Sequence, residues 1–254
     1  MLKPRVKVVR KSGHEEETYY LRFSIVKRIE HWVFMASFST LGLTGLVQKY
    51  ASSPVSESLV AMLGGIETTR IIHRVAATIM MLVVVYHVGA VGYRIYVQRK
   101  RMTMLPTLED VRIAWISLLY NLGLSKTRPQ QGRYTFEEKM EYWAVVWGTV
   151  IMALTGFMMW NPIFAARIFP GQIIPAAKAA HGGEALLAVL AIIIWHLYGV
   201  LIKTFNKSMY TGYLSEEEML DEHPLELADI KAGVSGREED PEPAIWFFHD
   251  RSRH

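Results

Sequence analysis

Four long apolar stretches constrain this chain of 254 residues more than any other feature. They cover about residues 31–48, 71–93, 141–160 and 182–202. Each is close to the roughly 20 apolar residues that an α-helix needs to cross a bilayer. Because 51% of all residues are hydrophobic, a membrane protein is a better expectation than a soluble core. The sequence therefore predicts an all-α membrane protein, a bundle of four transmembrane helices.

The distribution of basic residues predicts the orientation of this bundle. Eight Lys and Arg residues precede His31 and nine lie from Arg94 to Lys139, whereas residues 49–70 and 161–180 hold two each. By the positive-inside rule, the N-terminus, the middle loop and the C-terminus are cytoplasmic. Topology thus accounts for the net charge of +4. No basic stripe typical of a nucleic-acid-binding module is visible, and we expect no nucleic-acid partner.

The chain divides by composition into three predicted regions. Residues 1–27 form a cytoplasmic leader, residues 28–208 the four-helix transmembrane domain, and residues 209–254 an acidic cytoplasmic tail. Within the middle loop, the stretch of about residues 107–124 is apolar but interrupted by charges, which predicts an amphipathic helix at the membrane surface. The tail ends in an apolar IWFF cluster at 245–248 that we interpret as a docking patch for a partner.

The chain contains no cysteine. This composition excludes disulfides, iron–sulfur clusters held by thiolates, and haem attached covalently through a CxxCH motif. Any redox cofactor must therefore be held by other side chains.

Histidines inside the apolar stretches are the strongest chemical signal. Buried polar side chains are costly in a membrane, so each is a candidate for function. Five of the nine histidines lie in the stretches or at their rims: His31, His73, His87, His181 and His196. His73 and His87 are fourteen residues apart, and His181 and His196 fifteen, so each helix offers two imidazoles separated by about 21–22 Å. Paired imidazoles at two depths are typical of two stacked haems with bis-histidyl ligation.

Depth predicts how these histidines pair. With the N-terminus inside, the second and fourth spans both begin outside, so His73 and His181 share the outer level. His31, His87 and His196 share the inner level, which leaves three candidates for two positions. Arg28, Arg70 and Arg74 lie within one turn of a histidine and are candidates to bind haem propionates, with interfacial anchoring as the alternative.

Several motifs, taken together, resemble a known family. They are RIEHWVFMASFSTLGLTGL (28–46), RIIH (70–73), GRYTFEEKMEYWAVVWGTVIMALTGFMMWNPIFA (132–165), HGGEALLAVLAIIIWHLY (181–198) and MYTGYLSEEEMLDEHP (209–224). This set resembles the cytochrome b (gamma) subunit of respiratory formate dehydrogenases. The broader group includes the b-type cytochromes of membrane nickel–iron hydrogenases and bacterial cytochrome b561.

The resemblance implies two haem b groups and electron transfer to a quinone, menaquinone or ubiquinone, in the bacterial cytoplasmic membrane. It implies that His31 and His196 hold the inner haem and that His73 and His181 hold the outer one. It also implies a quinone site near the start of the third span, at Tyr134, Thr135 and Glu137. The family's fourth-span spacing is fourteen, and a local bulge can absorb the extra residue here.

Alternatives remain at the level of ligands and of function. A cytochrome b6 type of ligation would replace His31 by His87, but the RxxHW motif favours His31. The resemblance assigns substrate oxidation to a partner, an iron–sulfur or multihaem cytochrome c subunit on the outer side. The rival functions are a haem-bearing membrane anchor that docks another subunit, and a transporter that uses the histidines for protons or a metal.

Overall fold

The computed structural model describes residues 6–10, 16–99, 102–127 and 129–233. These residues are mostly helical, and the elements follow one another in this order: β1 (Val6–Arg10), β2 (Glu16–Leu21), α1 (Ile25–Lys49), α2 (Pro54–Met62), α3 (Ile66–Tyr96), α4 (Leu108–Asn121), α5 (Phe136–Trp160), α6 (Pro162–Ile168), α7 (Ile173–Ala191), two π-helical segments (Ile192–His196 and Tyr198–Lys203), α8 (Ser208–Thr211), β3 (Tyr213–Ser215), α9 (Glu216–Glu222) and α10 (Pro224–Lys231). The apolar cluster at 245–248 lies outside the described residues.

Among the described residues, three helices are long and apolar enough to cross a membrane: Ile66–Tyr96, Phe136–Trp160 and Ile173–Lys203. The fourth long helix, α1, carries charged residues in its first two turns, and its N-cap Ser24 accepts a hydrogen bond from the Lys27 amide. Large apolar side chains such as Leu82 and Val85 are each 65% exposed. Apolar surface of this kind needs lipid around it, as expected for an integral membrane protein.

The chain forms two compact units. The first unit comprises Met1–Arg22, Tyr86–Met140 and Gly212–His254, and the second comprises Phe23–Val85 and Glu141–Thr211. The second unit holds α1, α7 and most of the apolar helical residues. In the second unit α1 packs against α7 and against the short helix α2.

The last long helix changes its hydrogen bonding before it ends. After Ala191 the backbone continues as π-helix through His196 and again over Tyr198–Lys203. A π turn takes one residue more than an α turn. The fifteen residues from His181 to His196 therefore cover about the rotation that fourteen cover in a regular α-helix. A local bulge that can absorb the extra residue is thus present in this helix.

The first unit contains a three-stranded antiparallel sheet that the expectation of an all-α chain missed. The strand order is β1-β2-β3, with Val6 opposite Tyr20 and Tyr20 opposite Leu214. Tyr20 and Leu214 are buried with Met219 of α9 and Leu227 of α10 in a small apolar cluster. The sheet thus joins the predicted leader to the predicted tail, two segments that lie far apart in the sequence.

Buried charges hold three segments of the first unit together. The Arg22 guanidinium, 2% exposed, donates to Glu226 at 2.9 Å and to Glu138 at 3.2 Å. Arg133 donates to the other oxygen of Glu226 at 2.6 Å. Because each buried charge has an opposite charge in contact, the network avoids the large penalty of an unpaired ion.

Helix α4 occupies the stretch predicted to be interfacial. Its first-turn Asp110 is buried and accepts hydrogen bonds from the Thr107 amide at 2.6 Å and from the Lys139 ammonium at 2.8 Å. A line of apolar side chains at helical spacing is exposed instead: Leu108, Val111, Trp115, Leu118 and Leu122. This is the pattern of an amphipathic helix with an exposed apolar face, and its predicted position at the membrane surface stays a prediction.

Candidate functional site

Four of the predicted ligands come together as two pairs within the second unit. His31 of α1 and His196, at the end of the first π-helical segment, have ring centroids 6.3 Å apart. His73 of α3 and His181 of α7 have ring centroids 6.4 Å apart. These pairs are the two that the sequence and the resemblance together predict.

The spacing of the rings fits one metal ion between each pair. A metal–imidazole bond of about 2 Å and a distance of about 1.1 Å from the nitrogen to the ring centre place two rings on one metal about 6 Å apart. Both pairs agree with this spacing. The imidazoles are thus too far apart to bond to each other directly and correctly spaced to share an iron.

A hydroxyl fixes the tautomer of His73. Thr44 Oγ1 donates its single proton to the Thr40 carbonyl at 2.6 Å. The 2.8 Å contact between Thr44 Oγ1 and His73 Nδ1 is therefore a hydrogen bond in which the imidazole N–H donates. With its proton on Nδ1, the His73 ring keeps the Nε2 lone pair for a metal ion.

His181 is held in the same way. Thr155 Oγ1 donates to the Ile151 carbonyl at 2.6 Å and lies 2.9 Å from His181 Nδ1. The two imidazoles of this pair are thus oriented by equivalent hydroxyls on α1 and α5. Such partners of a ligating histidine fix the ring and leave the other nitrogen for the metal.

A glycine follows each of these threonines and makes room for the ring. A Cβ on Gly45 would lie 3.3 Å from His73 Cε1, and one on Gly156 would lie 3.2 Å from His181 Cε1. Both distances are tighter than ordinary van der Waals contact. The tripeptide Leu-Thr-Gly occurs twice, at 43–45 and 154–156. Each copy provides a hydroxyl that binds an imidazole and a glycine that leaves space for its ring.

The second pair has different surroundings. His196 Nδ1 lies 2.7 Å from Glu141 Oε2 of α5, a charge-assisted hydrogen bond. His31 Nδ1 is buried and has no hydrogen-bond partner among the described residues. One pair is thus flanked by two neutral hydroxyls and the other by a single carboxylate.

The RxxHW motif fastens the helix that carries His31. The Arg28 Nε and the Trp32 Nε1 both donate to the Met209 carbonyl, at 3.1 and 3.3 Å. Trp32 also packs edge-on against Tyr210, with ring centroids 4.8 Å apart. The residues on either side of His31 therefore tie α1 to the short helix α8 and restrict how the His31 ring can turn.

The other two arginines predicted at propionates have contacts of their own. Arg70 forms an exposed ion pair with Glu67, one turn earlier on α3. The Arg74 guanidinium stacks over the Trp160 ring at 5.4 Å. The assignment of Arg28, Arg70 and Arg74 to propionates stays a prediction.

His87 lies on α3 in the first unit, whereas the two histidine pairs lie in the second. Its assignment as an alternative ligand of the inner haem stays a prediction, and so does the preference for His31.

The residues predicted to contact quinone lie at the start of α5 in the first unit. Thr135 and Glu138 form a reciprocal pair of hydrogen bonds that caps the helix, at 2.8 and 3.1 Å. The Tyr134 ring lies 5.1 Å from the Arg22 guanidinium carbon and 5.5 Å from that of Arg133. Glu137 accepts a hydrogen bond from the Gln131 amide at 3.2 Å. Their predicted role as quinone contacts is compatible with these bonds but is not tested by them.

Sequence reasoning missed Thr44, Thr155 and Glu141. The repeated Leu-Thr-Gly is a signal that could have found the two threonines, because it occurs near the same end of two predicted spans. Glu141 had the general signal of a carboxylate next to an apolar stretch. Nothing in the sequence names its partner, which is set by the packing of α5 against the last helix.

Apolar helices that present paired imidazoles with fixed tautomers define a class, the helical membrane proteins that hold haem between histidines. The chain belongs to the prokaryotic cytochrome b561 family, whose model matches residues 5–107 and 107–212. The family resemblance seen in the motifs is confirmed. The chain is thus an integral membrane cytochrome of the b type, a class of electron-transfer protein that carries b-type haem.

Curated relatives cover most of the chain at low identity. The cytochrome b556(fdo) subunit of formate dehydrogenase from Escherichia coli K12 is 23% identical over 212 residues, 83% of this chain and 93% of the relative. The cytochrome b556(Fdn) subunit of the nitrate-inducible formate dehydrogenase of the same strain is 22% identical over 227 residues, 86% of this chain and 94% of the relative. A formate dehydrogenase cytochrome b556 subunit from Haemophilus influenzae is 22% identical, with 82% of each chain covered.

Proposed function

We propose that the chain is the dihaem cytochrome b subunit of an oxidoreductase complex in the bacterial cytoplasmic membrane. It passes electrons between a partner subunit on the outer side, an iron–sulfur or multihaem cytochrome c protein, and the quinone pool. The observation that carries this proposal is the two histidine pairs with ring centroids 6.3 and 6.4 Å apart. The formate dehydrogenase subunits among its relatives support a partner that performs substrate oxidation.

The proposed ligands are His31 with His196 for the inner haem and His73 with His181 for the outer haem. Three of the four rings have Nδ1 in a hydrogen bond, to Thr44, Thr155 or Glu141. This bonding leaves Nε2 of each of these three rings available to a metal ion. When bound, b-type haem supplies one-electron oxidation and reduction at an iron whose two axial positions are both filled.

The chain's own residues position and insulate these sites. The threonines and Glu141 hold the imidazoles in orientation, so that little movement is needed when the charge at the metal changes. Gly45 and Gly156 let the helix backbones approach the rings. The surrounding apolar helices exclude water, which keeps the sites in a medium of low dielectric constant.

The proposed topology has four spans with both termini in the cytoplasm. The first of these spans is α1, which runs over 25 residues and carries His31 in its second turn. The basic residues of the leader and the middle loop support the orientation. The exposed apolar line of α4 supports a helix that lies on the membrane surface with this face in the lipid.

The quinone, menaquinone or ubiquinone, is proposed to bind near the start of α5. The supporting feature is a group of polar side chains at the end of an apolar helix, where Tyr134, Thr135 and Glu137 follow one another closely. The Gln131 amide can donate a hydrogen bond to a quinone carbonyl, and the Glu137 carboxylate can accept one from a quinol hydroxyl.

The reduced-minus-oxidised visible spectrum of the purified chain tests the proposal. We expect b-type bands from two haems for each chain, and reduction of both by a short-chain quinol in lipid vesicles. Haem bands that the quinol cannot reduce would favour the haem-bearing anchor. A chain purified from haem-replete cells without any haem absorbance would overturn the proposal and favour a transporter of protons or metal ions.

A further inference from the structure

The two histidine pairs differ in the charge that lies behind the imidazoles. At the His73–His181 pair the partners are the hydroxyls of Thr44 and Thr155, which are neutral. At the His31–His196 pair the partner is Glu141, whose carboxylate oxygen is 2.7 Å from His196 Nδ1. His31 Nδ1 adds no hydrogen bond of its own among the described residues. The difference in charge between the two histidine pairs therefore depends on the side chain of Glu141.

A carboxylate on the far nitrogen changes what an imidazole does to its metal. It draws the Nδ1 proton toward itself and makes the Nε2 lone pair more basic, which strengthens the bond to the metal. A more electron-rich ligand stabilises the oxidised, more positive iron over the reduced one and so lowers the reduction potential. A hydroxyl acts in the same direction but much more weakly, because it carries no net charge.

The surroundings of Glu141 preserve this effect. The side chains of Glu141 and His196 are each 30% exposed, so most of each side chain is covered by protein. A charge is screened less there than in water. Among the described residues, no lysine or arginine forms an ion pair with Glu141, whereas Glu138, three residues earlier, is paired with Arg22.

We propose that Glu141 is a positioning residue that orients His196 and lowers the reduction potential of the haem bound by His31 and His196. This inference rests on the proposed function, in which those two histidines bind one haem. Thr44 and Thr155 orient the ligands of the other haem without a charge. The two sites are thus set apart by a carboxylate on one side and hydroxyls on the other.

A redox titration of the full-length Glu141→Gln variant tests this inference. Glutamine keeps the size of the side chain and can still accept the Nδ1 hydrogen bond, but it removes the charge. We expect both haems to be retained. At a fixed applied potential, the ratio of reduced to oxidised haem at one site should rise at least tenfold, which corresponds to about 59 mV for a one-electron couple. The site that shifts should be the one that is lost in His31→Ala.

A matched control separates the hydrogen bond from a general loss of charge. Glu184 is another carboxylate within the second unit, and its Oε1 lies next to Gly148 instead of an imidazole. In Glu184→Gln the same ratio should change less than threefold at either haem. An equal shift in both variants would overturn the inference, because it would mean that the direct bond to His196 is not needed.

The outcomes distinguish this inference from the proposed function. A wild-type chain without two haems contradicts the proposed function, whatever the variants do. A wild-type chain with two haems and an unshifted Glu141→Gln contradicts the role of Glu141 alone. If Glu141→Gln releases one haem, the Glu141→Asp variant is used for the test instead. Its shorter side chain keeps the charge but draws the carboxylate away from His196 Nδ1. We then expect both haems and a smaller rise of the ratio at the same site, and an unchanged ratio overturns the inference.

Discussion

Individual side chains behind the imidazoles decide how the candidate ligands are presented. Thr44 and Thr155 each use their proton on a backbone carbonyl and their oxygen on a histidine Nδ1. The glycine after each threonine leaves a gap the size of a methyl group for the ring. This combination fixes the position and the tautomer of a ring with two adjacent residues.

The Thr155→Val substitution tests this arrangement at the residue scale. Valine has nearly the same shape but cannot accept the Nδ1 proton of His181. We expect the affinity for one haem to fall by about 10–100-fold, the usual effect of removing such a partner. Haem retained after gel filtration, measured for each chain by the pyridine haemochrome spectrum, reports the loss.

Thr78→Val is the matched control for Thr155→Val. The Thr78 hydroxyl donates to the Arg74 carbonyl on the exposed face of α3 and has no histidine partner. This variant should retain haem as the wild type does. Equal retention in Thr155→Val and the wild type would show that the hydroxyl does not hold His181.

At the scale of elements, the last long helix is adjusted by its π-helical segment. The extra residue in Ile192–His196 brings His196 to the side of the helix that faces His31. In a regular α-helix, fifteen residues would leave His181 and His196 turned by about 60° from each other. The change from α to π hydrogen bonding is thus part of the site.

Changing the length of this segment tests its role. Deletion of Ile194 places the two histidines fourteen positions apart, a spacing that a regular α-helix can accommodate, and both haems should be retained. Insertion of one alanine after Ile194 turns His196 by about 100° if the helix stays regular, and the inner haem should be lost. Haem content and visible spectra of the two variants give the answer. Loss of haem on deletion together with retention on insertion would contradict this reading.

The buried side chain of His223 should make the stability of the first unit depend on pH. Its side chain is 1% exposed, and Nδ1 donates to the Gly132 carbonyl at 3.0 Å. Burial lowers the pKa of His223, and the nearby Arg22 lowers it further, against the opposing effects of Glu138, the Gly132 carbonyl and Glu226. The unfolded chain therefore binds a proton on His223 more readily than the folded chain does. The contribution of the neutral His223 side chain to stability is fully present above the unfolded pKa of about 6.5 and is lost as the pH falls below it.

Hydrogen exchange of the β2 and β3 amides measures this effect. After correction for the chemical exchange rate, protection at Tyr19–Leu21 and Tyr213–Ser215 should fall by up to tenfold for each pH unit below about 6.5. His223→Asn keeps a donor near the Gly132 carbonyl and cannot titrate, so its protection should be flatter over this range. The pKa of Asp110 is also lowered: burial raises it, but the Lys139 and Thr107 hydrogen bonds outweigh burial. Protonation of the Asp110 carboxyl therefore affects stability only below about pH 4. Identical profiles for wild type and His223→Asn would contradict the role of His223.

The elements show which parts of the fold a sequence can predict. Long apolar runs locate the ends of α3 and α5 to within about five residues, because a membrane helix satisfies its own backbone, whereas α7 begins earlier than its apolar run predicts. The sheet was missed because its edge strands have only five and three residues, and because Tyr213–Ser215 pairs with residues almost 200 positions earlier. Depth predicted the pair His73 and His181, whereas the choice of His31 as the partner of His196 needed the family resemblance. Glu141 was not predicted, since its contact with His196 depends on how two helices pack.

At the scale of the whole molecule, the central structural prediction is the direction in which the chain crosses the membrane. The chain has no cysteine, so single introduced thiols can be labelled without background. Ala51 and Lys126 are both exposed in loops that are predicted to lie on opposite sides. They provide a matched pair of positions for one experiment.

We expect Ala51→Cys to react with a membrane-impermeant maleimide added to intact spheroplasts. Lys126→Cys should react only after the membrane is permeabilised, because the positive-inside rule places its loop in the cytoplasm. Labelling is read from the mass shift of the purified chain. The opposite pattern would invert the proposed topology and with it the side on which the partner subunit and the quinone are reached.

The ligand sets are tested most directly by counting haems in histidine variants. The wild-type chain should carry two b-type haems, and His31→Ala should carry one, because His196 loses the imidazole whose ring centre lies 6.3 Å away. His87→Ala should keep two haems with an unchanged low-spin spectrum. Two haems in His31→Ala together with one haem in His87→Ala would contradict the account, since α3 and the last long helix would then supply all four ligands.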